Sequence, residues 1–384
     1  MQVNKISYVS RVGLRNWKNF QEVDIPLTWR AFIIGPNASG KSNFLDVFRF
    51  LKDVALNGLN RAVEVRGGVS AIRCLSARRY PDITVEVELQ GNEGVVWCYA
   101  LSLNQDNQRR PIIKRESVQK NGQSLLVRPS AEDKEDPERL TQTALEQISE
   151  NRPFRSVADF FKSVSYRHLI PQIVRNPADF TTRPVKNDPY GRDFLRRMWE
   201  TNKRTRDSRL NKISQAIKIA VPQLSKLSLE MDEKTGIVHL IGRYEHWRPS
   251  GAKQDESQFS DGTLRLLGLL WTVFEGSGPL LLEEPEISLH PELVRRLPSV
   301  FYRLTRERKQ PRQIIISTHS EEMLRDEGIA PTEVLLLQPS PNGTEISLPD
   351  EADIRAMREG RLTAADVLMP KVAPQNIHQL ELPW

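Results

Sequence analysis

Apolar and polar residues alternate with period two over several short stretches in the first third of the chain. The clearest stretch runs from Ile83 to Leu89, and similar ones cover Val95 to Leu103, Ile112 to Val118 and Ser124 to Val127. This period is typical of strands with one buried face. Because Asn121-Gly122 and similar turn residues separate the stretches, we predict an antiparallel β-subdomain here.

A different pattern precedes this subdomain. Strands are predicted near Ile6 to Leu14 and Gln21 to Leu27, and a fully apolar run follows from Ala31 to Ile34. From Asn43 to Leu51 the apolar residues change to helical spacing, as at Phe44, Leu45 and Phe48. The pattern therefore predicts a hairpin, a buried strand and a helix in that order.

The remaining elements are predicted from the same two periods. Helices are predicted at 140–148, 157–164, 192–219 and 351–359, strands at 227–231 and 237–244, and loops at 129–140 and 246–258. On this basis we divide the chain into a first lobe at 1–128, a basic helical insertion at 129–224, a second lobe at 225–345 and a tail at 346–384.

The segment between the buried strand and the following helix matches G-x-x-x-x-G-K-S/T, the phosphate-binding loop. Glycine at the two conserved places of this pattern lets the backbone approach a phosphate closely. We expect Lys41 to contact the β- and γ-phosphates of ATP and Ser42 to hold Mg²⁺. The expected nucleotide contacts are Gly35, Asn37, Ser39, Gly40, Lys41, Ser42 and Asn43.

Two aromatic residues of the hairpin, Trp17 and Phe20, have two interpretations. They could stack on adenine, with Arg15 or Lys18 near the nucleotide, or they could pack within the hairpin. We favour packing.

A second chemical pattern is the apolar run Leu280-Leu281-Leu282 followed by Glu283-Glu284. A buried strand ending in two acids is the Walker B layout, with carboxylates at the edge of the sheet beside the phosphates. Glu283 is predicted to hold the Mg²⁺ shell, although most such sites have aspartate there. Glu284 is predicted to orient or deprotonate the attacking water.

Two further turns carry candidate residues. Ser260 and Gly262 lie where a helix is predicted to begin, so Ser260 or Asp261 could be a helix cap, or the turn could bind an anion. His319 follows the apolar strand Ile314-Ile315-Ile316 and could bond a γ-phosphate. A single histidine is more often structural.

The order of these motifs resembles that of an ABC-type ATPase head. The chain is similar to SMC/RecF-like ATPases of the AAA family, and most of all to stand-alone ATPases akin to the OLD family and to the PARIS-type anti-phage ATPase subunit. Glu283 to Pro291 and Phe259 to Leu267 carry the likeness. The resemblance implies an α/β fold: a P-loop NTPase sheet with an antiparallel β-subdomain, plus a helical insertion.

The same resemblance implies how the parts act. Two heads would sandwich two ATP molecules, with Ser260 and Gly262 contacting the γ-phosphate bound by the other subunit and Ser288 to His290 forming the D-loop. Gln172 would be the Q-loop glutamine at the metal. No acidic cluster of the TOPRIM nuclease type follows His319, so a separate nuclease or toxin would be the effector.

Charge adds one more candidate surface. The chain has 55 basic and 49 acidic residues, a net charge of +6, and Arg183 to Lys218 alone carries eleven basic and four acidic residues. This segment could contact DNA, or it could be a solvated helical face. With two cysteines, no membrane-length apolar run and no signal-peptide pattern, we expect a bacterial cytoplasmic protein with no membrane contact.

These observations favour an ATP-gated switch that controls a nuclease or toxin in phage defence. A RecF-like DNA repair ATPase is the main alternative. A non-hydrolysing scaffold is less favoured because both carboxylates, Glu283 and Glu284, are present. A transporter cassette is least favoured because Asp261-Gly262-Thr263 differs from the signature sequence of transporter cassettes.

Overall fold

The computed structural model describes residues 5–77, 81–180, 186–245, 252–306 and 311–373. Numbered in chain order, the strands are β1 Ile6–Trp17, β2 Phe20–Pro26, β3 Arg30–Ile34, β4 Ile83–Gly91, β5 Val96–Gln105, β6 Pro111–Lys120, β7 Gln123–Arg128, β8 Ser165–Arg167, β9 Leu224–Met231, β10 Val238–Tyr244, β11 Ala252–Gln254, β12 Leu280–Glu283, β13 Ile314–Ser317, β14 Val334–Ser340 and β15 Gly343–Ser347.

The helices are α1 Lys41–Asn57, α2 Leu59–Glu64, α3 Val69–Ile72, α4 Ala131–Glu135, α5 Arg155–Lys162, α6 Pro171–Arg175, α7 Phe194–Glu200, α8 Lys203–Ile217, α9 Asp261–Phe274, α10 Pro291–Arg306, α11 Glu321–Leu324, α12 Glu351–Glu359 and α13 Ala364–Leu368. Short 3₁₀ turns connect several of them, such as Pro137–Thr141 and Pro331–Glu333.

The described residues form two compact units. The first comprises the chain up to residue 165, residues 277–281 and the chain from residue 311 onward, and the second comprises residues 166–276 and 282 to 306. Strand β12 begins in the first unit, and its last two residues belong to the second.

An antiparallel sheet of order β2-β1-β4-β5-β6-β7 lies in the first unit. Along β4 the side chains alternate between buried and half-buried, with Ile83, Val85, Val87 and Leu89 on the buried face. The period-two pattern therefore predicted the burial correctly, and the β-subdomain is confirmed.

A mixed sheet has the order β15-β14-β3-β13-β12-β8. Strand β3 pairs in parallel with β13 on one side and with β14 on the other. All four residues from Ala31 to Ile34 are buried, as expected for a strand covered on both faces. In the second unit β11, β10 and β9 form a small antiparallel sheet.

One buried side chain joins the two sheets of the first unit. Gln313 is fully buried, and its amide nitrogen donates to the carbonyl oxygens of Val9 and Thr28, each at 2.8 Å. Its amide oxygen accepts from the Val9 N–H at 3.0 Å. These three bonds satisfy both backbone groups of the buried Val9 in β1 and the carbonyl oxygen of the half-buried Thr28 between β2 and β3.

Several sequence predictions were wrong. Residues 140–148 form no α-helix: the first two end the 3₁₀ turn Pro137–Thr141, and the buried carboxylate of Glu116 accepts from the N–H groups of Ala144 and Leu145, at 2.7 and 3.1 Å. Within the predicted loop 129–140, a capping box between Ser130 and Asp133 starts α4.

The loop predicted at 246–258 was wrong in part. Its residues 252–254 form strand β11, which pairs with β10, and residues 246–251 lie outside the described part of the chain. In the tail, helix α12 has the predicted bounds, and α13 follows as a helix that we did not predict.

We predict that Gln313→Leu lowers the free energy of unfolding by about 3 kcal/mol, because three backbone groups lose their hydrogen bonds. Chemical denaturation followed by circular dichroism measures this. The exposed Gln123→Leu is the control and should change stability by less than about 0.5 kcal/mol. Equal effects of both substitutions would contradict the bridging role of Gln313.

Candidate active site

The phosphate-binding loop leaves β3 at Gly35 and enters α1 at Lys41. A Cβ atom on Gly35 would lie 2.6 Å from Ser39 Oγ and 2.7 Å from the Leu337 carbonyl oxygen, so only glycine fits. Gly40 has a φ of +96°, which glycine adopts without strain. It is also the N-cap of α1, and no side chain caps this helix end. The first turn is thus suited to an anion.

Two side chains of the loop fit a phosphate ligand. The Lys41 ammonium group donates to the carbonyl oxygens of Gly35 and Pro36, at 2.8 and 3.0 Å, which holds it over the loop. Ser39 Oγ is buried and has no hydrogen-bond partner in the described structure. A buried hydroxyl without a partner costs free energy that a bound phosphate oxygen would recover.

Asn19, in the turn between β1 and β2, holds the loop from outside, a role that sequence reasoning missed. Its amide nitrogen donates to the Ser39 carbonyl oxygen at 3.0 Å and to Thr344 Oγ1 at 2.7 Å. Its amide oxygen accepts from the side chain of Asn43 at 2.8 Å. Asn43, which we expected at the nucleotide, is therefore bonded to the hairpin. A turn asparagine carries no sequence signal for this role.

The hairpin aromatics pack rather than stack on a ligand. Trp17 and Phe20 are fully buried. The indole N–H of Trp17 donates to the Asn43 carbonyl oxygen at 2.9 Å, and its ring contacts Phe50. Lys18 pairs with Asp46 at 2.7 Å. The favoured packing interpretation is thus confirmed.

His319 follows β13 in the first unit. The N–H of Thr318 donates to the Ile33 carbonyl oxygen at 3.1 Å, so the end of β13 lies beside the end of β3. His319 itself is exposed. The parallel pairing therefore brings His319 and Gly35 to the same edge of the sheet.

In the second unit, Glu283 is held at two points, by a residue of β8 and by one that follows this strand. The hydroxyl of the buried Tyr166 donates to Glu283 Oε2. His168 Nδ1 lies 3.1 Å from the Glu283 carbonyl oxygen, a contact that requires the proton on Nδ1. Neither residue was singled out from the sequence.

Glu284 has a backbone conformation that non-glycine residues rarely adopt, with a φ of 44°. The buried Arg265 of α9 donates to its carbonyl oxygen at 2.6 Å and also donates to the Leu169 carbonyl oxygen. Burial lowers the pKa of Arg265, and the charges of Glu286 and Glu284 oppose this shift. Such strain at a predicted general base is typical of functional sites.

The turn before α9 is capped by a side chain and packs closely against a second loop. Ser260 is the N-cap, since its hydroxyl accepts from the Thr263 N–H at 3.2 Å. A Cβ atom on Gly262 would lie 2.7 Å from the Ser288 carbonyl oxygen, so this glycine lets the turn contact the predicted D-loop. The cap interpretation is confirmed, and the anion role of the turn stays a prediction.

Gln172 lies at this turn as well. Its amide nitrogen donates to Asp261 Oδ2 at 2.7 Å, and Arg175 pairs with Asp261 Oδ1 at 2.6 Å. Arg175 also donates to the Phe259 carbonyl oxygen at 2.5 Å. The amide oxygen of Gln172 is the atom that would bind a metal.

The predicted metal ligands are one carboxylate, one hydroxyl and one amide, on Glu283, Ser42 and Gln172. Within the described ranges, no group of three or more His, Cys, Asp or Glu residues could hold a metal ion by itself. Mg²⁺ is usually held by one or two carboxylates together with phosphate oxygens, so these oxygen donors fit it.

A glycine-rich loop between a parallel strand and a helix, with an antiparallel subdomain and a capped turn before α9, defines an ABC-type ATPase head. Residues 30–325 match the family described as "AAA domain, putative AbiEii toxin, Type IV TA system". This range covers more than half of the 384 residues, and the chain belongs to this AAA family. A comparison with curated proteins gave no match.

Solved structures support the same fold. An Smc head bound to the C-terminal winged-helix domain of ScpA is 14% identical with a TM-score of 0.55, covering 90% of this chain and 98% of that one. The Smc head with an extended coiled coil bound to the C-terminal domain of ScpA, from Pyrococcus furiosus, is 13% identical with a TM-score of 0.53, covering 92% and 100%. At this identity the likeness shows the fold alone.

We predict that Asn19→Ala weakens binding of a fluorescent ATP analogue about tenfold, because the loop loses bonds at Ser39 and Asn43. Fluorescence titration measures this. The exposed Asn342→Ala in the β14–β15 turn should bind as the wild type does. If Asn19→Ala bound the ATP analogue as tightly as the wild type, the loop would keep its shape without the hydrogen bonds of Asn19.

Proposed function

We propose that this chain is a Mg²⁺-dependent ATPase that closes head to head on a second copy around ATP. Its ATP state would control a partner nuclease or toxin. The observation that carries the proposal is the loop at Gly35 to Lys41, with an uncapped helix end, a left-handed Gly40 and the buried Ser39 hydroxyl.

In this proposal each residue has a distinct task. Lys41 offsets the charge of the β- and γ-phosphates, and the helix end of α1 orients them. Glu284 accepts a proton from the water that attacks the γ-phosphorus. Mg²⁺, held by Ser42, Glu283 and Gln172, would neutralise phosphate charge. His319 would donate to the transferred phosphoryl group.

Head-to-head closure is supported by the turn at Ser260. It combines a hydroxyl with the N–H groups at the start of the 14-residue helix α9. Such a helix end favours a negatively charged group, and we propose that this group is the γ-phosphate bound by the second copy. Ser288 to His290 would face the same neighbour.

The regulatory role rests on the family and on the sequence. The family description names a putative toxin of a type IV toxin–antitoxin system, which supports control of a toxin. The role in phage defence rests on the sequence resemblance alone. The OLD-like resemblance and the bacterial cytoplasm as location belong to this proposal. Within the described residues, no helix is both long and apolar enough to cross a membrane.

Two substitutions test the ATPase. We expect Lys41→Ala to weaken ATP binding at least about tenfold, because it removes the loop's cation. Glu284→Gln should keep binding but lower turnover by about 10² to 10⁴, since an amide cannot accept the proton. Phosphate release and fluorescent-nucleotide binding are the measurements.

Matched controls are Lys134→Ala and Glu292→Gln, both exposed residues outside the motifs. If Lys41→Ala and Glu284→Gln both turned over ATP at the wild-type rate, the proposal would be wrong. Sedimentation of Glu284→Gln with ATP tests closure, and a species that stays monomeric would contradict the head-to-head arrangement.

DNA binding is the second candidate, supported by helix α8. Leu210, Ile213 and Ile217 are buried on one side of this helix, while Lys203 and Arg204 are exposed on another. Not all of the basic segment is available, because Arg197 is mostly buried and pairs with Asp193 and Glu275. Arg183 lies outside the described residues.

We predict that reversing both charges, Lys203→Glu with Arg204→Glu, weakens duplex DNA binding. The slope of the logarithm of the binding constant against the logarithm of the salt concentration should become shallower by about two, because two phosphate contacts are lost. Fluorescence anisotropy at several salt concentrations measures this. The control reverses Lys114 and Arg115, an exposed pair on β6. Equal losses in both double variants would indicate nonspecific attraction rather than a binding surface at α8.

A further inference from the structure

The two acids Glu283 and Glu284 are held through different groups. The Glu283 carboxylate accepts a hydrogen bond from Tyr166, while the main chain of Glu284 is held by Arg265. Tyr166 is only 8% exposed and Glu283 is half-buried, so the bond between them is partly shielded from water. A charge-assisted bond in such a place orients its acceptor strongly.

The strand that carries Tyr166 is itself fixed. Arg167, the buried neighbour of Tyr166 in this strand, places its Nη2 atom 3.4 Å from Glu275 Oε2. Its Nη1 atom donates to the Tyr166 carbonyl oxygen at 3.1 Å. Glu275 also pairs with Arg197 at 2.5 Å. The backbone of Tyr166 is thus anchored by Arg167, which belongs to an ion-pair network with Glu275 and Arg197.

Two contacts hold different parts of Glu283. Tyr166 bonds the carboxylate at Oε2, and His168 bonds the carbonyl oxygen of the same residue, so both the side chain and the backbone of Glu283 are held. A glutamate has one more rotatable bond than an aspartate and loses more freedom when it is oriented. The tyrosine hydroxyl removes this freedom before any ligand arrives.

We propose that Tyr166 is a positioning residue for the metal site. It holds the Glu283 carboxylate in one orientation, in which Glu283 would serve as a ligand of Mg²⁺. This inference rests on the proposed function, because it takes Glu283 as part of the metal shell. Partners that orient a ligand in this way typically contribute ten- to a hundredfold to metal affinity.

The test measures Mn²⁺ binding by electron paramagnetic resonance in the presence of the non-hydrolysable analogue adenylyl imidodiphosphate. Tyr166→Phe keeps the ring and deletes the hydroxyl, and it should weaken Mn²⁺ binding about tenfold. In turnover assays the same variant should need more Mg²⁺ but recover the wild-type kcat at saturating Mg²⁺, which a distorted fold would not.

A double-mutant cycle identifies the partner. Glu283→Asp withdraws the carboxylate by about 1.5 Å, one carbon–carbon bond, and breaks the contact with the hydroxyl. Adding Tyr166→Phe to Glu283→Asp should then cause no further loss of Mn²⁺ affinity. Tyr302→Phe deletes another hydroxyl of the same unit, one that accepts from Arg306 at 2.8 Å, and should behave as the wild type.

The outcomes separate the two proposals. Mn²⁺ affinity of Tyr166→Phe within twofold of the wild type, or an equal loss in both backgrounds, would overturn the role of Tyr166 and leave the ATPase intact. A wild-type chain that binds no Mn²⁺ together with the nucleotide would overturn the metal site and this inference with it.

Discussion

The parallel pairing of β3 with β13 is the constraint on which the chemistry of the first unit depends. Backbone bonds from Ile314 to Trp29 and from Thr318 to Ile33 fix the register at both ends of the pair. Because parallel strands finish at one edge of a sheet, the glycine-rich loop and His319 emerge together. A slip by one residue would turn each strand's side chains to the opposite face.

Around that edge, the loop is held in shape before a nucleotide arrives. Gly35 packs against β14, and Asn19 links Ser39 to the β15 residue Thr344. These contacts come from strands that are distant in sequence. A loop that is already ordered loses less conformational entropy on binding, which favours affinity for the phosphates.

Several charged side chains of the second unit are buried and bond other groups of the protein instead of facing solvent. Arg265, Arg197 and Arg167 are buried or nearly so, and each bonds a backbone carbonyl or a carboxylate. The basic surplus of the sequence therefore overstates the charge that faces solvent. Burying an arginine costs free energy unless acceptors bond its N–H groups. For Arg265 one of these acceptors is the carbonyl oxygen of Glu284, the predicted general base.

The sequence alone determined the elements with a strong period and the motifs with local chemistry. The alternation of β4, the buried strand β3, the phosphate loop and the cap at Ser260 are all encoded within a few neighbouring residues. Only the tertiary structure decided what depends on partners distant in the chain. Glu116 bonds the backbone within 140–148, where we expected a helix, Asn19 clamps a loop twenty residues away, and Tyr166 meets Glu283 across 117 positions. Side-chain bonds of this kind leave no periodic signal, because their partners are set by the packing of strands and not by the residues beside them.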